Sequence, residues 1–203
     1  MAPRPSVVRS TRVPWYRTAA GRVFGAVGVV LIITVGGALI ASAVGAGNRT
    51  ERRRERLDDF TSQVEALSQE VSGPAGQMGT IGPTASKDVL EALEKEPGKW
   101  VSALTTTEQS TRRLRPPAGA EETAALFAEA TRIYLTAART FQLVSETTGN
   151  TQQELLLRGT EVRDRANSVW STGTALLDKQ RAELDLGTSG LVPPGAGGGI
   201  PQG

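Results

Sequence analysis

The chain has 203 residues, no Cys, no His and a formal net charge of +2. Disulfides, thiolate zinc sites, cysteine nucleophiles and imidazole chemistry are therefore excluded, and neither an enzyme nor a cofactor is expected. Residues 1–22 carry five Arg and no acid and residues 49–56 five Arg against two Glu, whereas residues 57–186 carry 13 basic and 19 acidic side chains, so no basic domain face for nucleic acid is expected.

Residues 1–22 form a basic tail, followed by a run without a charged residue from Val23 to Gly47. Twenty-five residues of α-helix span about 37 Å, against a hydrocarbon thickness of ~30 Å. The run therefore predicts a transmembrane anchor over 23–47. Ala41-Ser42-Ala43 and Val44-Gly45-Ala46 resemble signal cleavage sites, so a signal cut after Ala43 or Ala46 is the competing reading. The long uncharged core favours an uncut signal anchor. Arginines on the two flanks balance, so the positive-inside rule does not decide orientation. The small-residue sites make sense only at an exported end. A single pass is predicted, with the N-terminus cytoplasmic and the C-terminal domain extracytoplasmic. Arg17, Arg22, Arg49, Arg52, Arg53 and Arg54 are candidate membrane-surface contacts.

Residues 48–72 read as a juxtamembrane amphipathic helix. Leu57, Phe60, Val64, Leu67 and Val71 recur in a 3-4 pattern, the narrow seam of a coiled coil. Gly37, Ala41 and Gly45 form a small-residue ridge within the apolar run. Ridge and seam together are a candidate helix–helix interface, against the alternative that the seam packs within its own domain. Gly73-Pro74 predicts the end of this helix and a linker over 73–86.

A helical bundle is expected over 87–186. Ser86 predicts the cap of a short helix over 87–95, and Pro97-Gly98 a break. The next helix, from about Lys99, places Trp100, Leu104, Thr107, Thr111 and Leu114 on one face, and Pro116-Pro117 stops it. Residues 119–148 present Phe127, Thr131, Tyr134, Ala138 and Phe141, with Gly149 as the stop. Asn150 and Gln153 predict a capping box for a last helix whose face is Leu155, Val162, Ala166, Val169, Gly173, Leu176 and Leu184, with Trp170 beside it. Residues 187–203, with seven Gly and three Pro, predict a disordered tail. The expected fold is all-α: one N-terminal transmembrane helix followed by an antiparallel helical bundle.

"LRPPAGAEETAALFAEATRIYLTAARTF" (114–141) resembles the Pro-Pro turn and Ala-rich helix of exported or membrane-anchored helical proteins of high-GC Gram-positive bacteria. That resemblance implies a helical architecture and carries over no site residue.

Asp58-Asp59, Glu121-Glu122 and Glu94 with Glu96 read as solvated surface, because adjacent helix positions do not face each other. Trp100, Tyr134 and Trp170 are a candidate ligand pocket between helices, against the alternative that they are core. The sequence thus leads to a non-enzymatic, membrane-anchored interaction module of the cell envelope that binds another envelope protein or itself. The alternative is a small-molecule-binding or sensing bundle that signals through a partner.

Overall fold

The computed structural model describes the backbone of residues 19–84 and 86–195 and the side chains of residues 48–84 and 86–195. The described residues form five helices and no strand: α1 (Ala19–Gly79), α2 (Lys87–Lys95), α3 (Pro97–Thr111), α4 (Glu121–Ser145) and α5 (Gly149–Ala182). Contacts divide the chain into two compact units, Met1–Arg49 and Thr50–Gly203. The predicted anchor, and the ridge Gly37, Ala41 and Gly45 within it, lie outside the residues whose side chains are described. Among the described residues no helix is long and apolar enough to cross a membrane.

The second unit is a helical bundle in which α4 packs closely against α5. Phe141 lies over Gly159 and Phe127 over Gly173. Each aromatic step of two heptads on α4 meets a glycine step of two heptads on α5, which sets an antiparallel register. The same register places Tyr134 opposite Ala166 and Trp170 opposite Ala130, and all four are fully buried. Large residues on one helix thus face small ones on the other, the interdigitation that fills a core at native density. The rings of Phe127 and Trp170 meet edge to face at 4.9 Å, and Trp100 of α3 meets Phe141 at 6.2 Å.

This packing corrects the predicted face of α5. Leu155, Val162, Val169 and Leu176 are only partly buried, while Leu156, Gly159, Ala166, Trp170, Gly173 and Leu177 form the interior stripe. The sequence reading placed Ala166 and Gly173 inward, as found, but grouped them with flanking aliphatics; the interior stripe instead runs through Leu156, Gly159, Trp170 and Leu177 and receives the rings of α4.

The seam Leu57, Phe60, Val64, Leu67 and Val71 is buried inside the chain's own bundle, so it is not an interface between copies. Nor does α1 stop before Pro74. It runs to Gly79 and extends the seam through the buried Ala75 and Met78, with Ile81 buried just beyond it. A proline inside a helix costs about 3 kcal/mol. Burial of Met78 works against this cost, as does Arg163 of α5, which donates from Nη1 to the carbonyls of Met78 and Ile81, both at 2.8 Å. The predicted linker 73–86 is therefore partly helix and partly core.

Other boundaries follow from local chemistry. The Ser86 hydroxyl accepts from the Val89 N–H at 3.4 Å and caps α2 as expected. Pro97 starts α3 instead of separating it from a later helix, because the first helical position needs no N–H. The threonines of α3 return their hydroxyls to the preceding turn, as Thr105 does to the Val101 carbonyl at 2.7 Å. No capping box opens α5. Thr148 is its N-cap without a side-chain bond, Gly149 supplies a left-handed φ of 68°, and Gln153 instead donates to the Pro83 carbonyl at 2.7 Å.

The predicted disordered tail is ordered up to its described limit. The Ser189 N–H donates to Asp178 at 2.7 Å, Leu191 packs against the core, and the buried Gly195 N–H donates to the Tyr134 hydroxyl at 3.3 Å. Local composition hid this, since the ordering comes from α5 and α4. Residues 196–203 lie outside the described residues.

Candidate functional site

At one end of the bundle, the first turns of α1 in the second unit meet the α3–α4 turn and the C-terminus of α5. They enclose a cleft of about 420 Å³. Its apolar floor includes Leu57, Pro117 and Leu184, and its rim carries Arg53, Arg56, Gln180 and Glu183. The α3–α4 turn is held in place from α5. Gln180 donates to the Gly119 carbonyl at 2.7 Å and accepts from the Thr123 hydroxyl at 3.1 Å. Gly119 adopts a φ of 91°, a conformation available to glycine without strain, and its N–H donates to Glu121 at 2.8 Å.

The arginines around this end divide into two groups. Arg54, predicted as a membrane contact, instead donates from Nε to the Leu184 carbonyl at 2.8 Å and pairs with Asp185 at 3.2 Å. It satisfies a carbonyl at the C-terminus of α5, where a cation is favoured. Arg181 returns the contact, bonding Asp58 at 2.7 Å and the Thr61 hydroxyl at 2.9 Å on α1. The side chains of Arg53 and Arg56 have neither hydrogen bonds nor ion pairs with any described residue, and both face the cleft. Arg49 and Arg52 are exposed and line no part of it. Arg17 and Arg22 lie outside the residues whose side chains are described.

Trp100, Tyr134 and Trp170 do not form a pocket. All three are core residues, at 2%, 0% and 0% exposure, in separate layers. Trp100 donates from Nε1 to Gln77 of α1 and packs on Phe141, while Trp170 packs on Phe127. The Tyr134 hydroxyl donates to Asn167 of α5 and accepts from Gly195. Burial raises the pKa of the Tyr134 phenol well above its ordinary 10.0, with a smaller upward push from Asp164, opposed by the Gly195 N–H and the charge of Arg163. Spacing alone makes helical aromatics look like a pocket lining, but here each ring is matched by a small residue or another ring.

The acidic pairs contribute structure. Asp58 pairs with Arg181, Glu121 binds the Gly119 N–H, and Glu96 pairs with Lys99 at 2.9 Å. No cluster of three metal-ligating side chains occurs among the described residues. Sequence reading missed the cleft and the structural roles of Arg163 and Arg181. An arginine among the buried positions of α5 was the one available signal, and it does not name its acceptor.

No known protein family matches the chain, and no curated protein or solved structure matches it significantly.

Proposed function

We propose that the chain is a single-pass, membrane-anchored interaction module of the cell envelope, non-enzymatic, with a cytoplasmic N-terminus and an extracytoplasmic helical bundle. Its partner is another envelope component or a second copy of the chain. The observation that carries this reading is the uncharged run Val23–Gly47, bracketed by arginine clusters and followed by a helical bundle. A run of that length matches the hydrocarbon core and leaves ample apolar surface to bury. The bundle fills its interior with its own side chains, which favours recognition through its surface over an internal ligand cavity. The alternative of a sensing bundle loses its proposed binding residues, since Trp100, Tyr134 and Trp170 are core.

The test is fractionation combined with topology mapping. The full-length chain is expected in the membrane fraction after alkaline extraction. A reporter fused after Gly203 is expected to be active outside the cytoplasm. Soluble protein beginning at Val44 or Gly47 would show a cut signal, and a reporter active only inside would reverse the orientation.

A further inference from the structure

We propose that the cleft between Arg53, Arg56 and the α3–α4 turn binds a phosphate group, with the headgroup of an anionic phospholipid as its source. The lipid source rests on the anchor reading above; binding of phosphate does not.

Arg53 and Arg56 stand three residues apart on α1, so both guanidinium groups occupy one face and repel each other. Two other arginines nearby are already engaged: Arg54 with Asp185, and Arg181 with Asp58. Glu183 is the one carboxylate lining the cleft, so the lining keeps one net positive charge, and Glu183 forms no ion pair with either arginine. A phosphate oxyanion bridging both guanidiniums would remove their repulsion and accept the paired N–H donors that arginine presents. The floor of Leu57, Pro117 and Leu184 suits the apolar part of a glycerolipid beside that charge. Chain length sets the geometry. Arg53 follows Gly47 by six residues, so it can stand no more than ~21 Å from the end of the uncharged run. That distance reaches a headgroup layer if the run spans the bilayer.

The experiment uses the full chain in two settings. In neutral detergent micelles, inorganic phosphate is titrated at constant ionic strength against chloride, and the Gly119 amide resonance is followed. In nanodiscs, phosphatidylcholine alone is compared with a mixture containing phosphatidylglycerol, and amide exchange is followed at residues 117–120. The variants are Arg53→Gln/Arg56→Gln and the charge-matched Arg158→Gln/Arg165→Gln, exposed on α5 and outside the cleft. All four arginines are exposed, and each double variant is first checked for an unchanged melting temperature.

The expected result is a saturable Gly119 shift with phosphate and exchange slowed about tenfold by phosphatidylglycerol. Both effects should vanish in Arg53→Gln/Arg56→Gln and persist in Arg158→Gln/Arg165→Gln. A response to inorganic phosphate alone upholds the cleft as a phosphate site but overturns the lipid as its source. No response in either setting, or equal loss in both double variants, overturns the proposal in favour of diffuse charge attraction. A chain that fails to enter nanodiscs defeats the anchor reading, while the micelle titration still decides whether the cleft binds phosphate.

Discussion

A methyl group on Gly159 would stand 2.7 Å from Cε1 of Phe141, a ring with no exposed surface that is also held by Trp100. On Gly173 the nearest atom, Cε1 of Phe127, would be 3.2 Å away. Alanine favours a helix interior over glycine by ~1 kcal/mol, whereas overpacking a filled core costs about 1–3 kcal/mol. Gly159→Ala is therefore expected to destabilise the bundle by about 1 kcal/mol net, and Gly173→Ala to be neutral or slightly stabilising. Chemical denaturation of both variants checks the order, and the reverse order would contradict the register. Tyr134 brings a pH dependence. Its phenol ionises at 10.0 when unfolded but at a higher pH when buried. Above about pH 10 the unfolded chain releases this proton and the folded chain retains it, so stability falls as pH rises. Below pH 10 the contribution is intact. Melting temperatures from pH 8 to 11.5 should decline less steeply in Tyr134→Phe, although that variant starts lower by ~1 kcal/mol through loss of the Asn167 bond.

Two helix ends in this bundle are finished by side chains from other helices. Arg163 of α5 closes the C-terminal end of α1, and Arg54 of α1 binds the carbonyl of Leu184 beyond α5. Charge-assisted bonds of this kind contribute about 1.5–3 kcal/mol where they are screened from water, and the Arg163 side chain is only 12% exposed. Arg163→Ala is expected to lower stability by ~2 kcal/mol and to accelerate amide exchange over residues 75–81, while the exposed Arg165→Ala leaves both nearly unchanged. Equal effects of the two variants would refute the capping role. The C-terminal segment acts as a further element without being a helix. Removing residues 188–203 takes away the Asp178 and Tyr134 contacts and the half-buried Leu191. A loss of ~2 kcal/mol in denaturant unfolding is expected, where a disordered tail would give none.

At the scale of the molecule, one continuous core joins α1 from Leu57 to Met78 with α2, α3, α4 and α5. Residues 50–203 form a compact unit of their own, so this fragment is expected to fold without residues 1–49. Circular dichroism should show a cooperative helical melt, and a fragment that stays unfolded would mean the core is insufficient. Within it Trp170→Ala should cost about 3–5 kcal/mol, because the indole is fully buried against Phe127 and a cavity would remain. An unchanged melt would place the indole at the surface.

Helical class, the apolar seam of α1 and the inward face of α4 were legible because each depends on periodicity within one segment. Leu57 to Val71 repeats every third or fourth residue, and Phe127, Tyr134 and Phe141 repeat every seventh. Three features were decided by tertiary structure alone. Gly159 lies on the inner face of α5 and carries no hydrophobic signal until the Phe141 ring is set against it. The end of α1 beyond Pro74 is bonded by Arg163, which lies far along the chain. The cleft exists only where Arg53 and Arg56 meet the turn at Gly119 and the end of α5. Local pattern governs which segments become helices, because helix geometry repeats within a few residues. Which partner closes a helix end, orders a tail or shapes a cleft depends on groups brought together by packing, and no local pattern encodes that meeting.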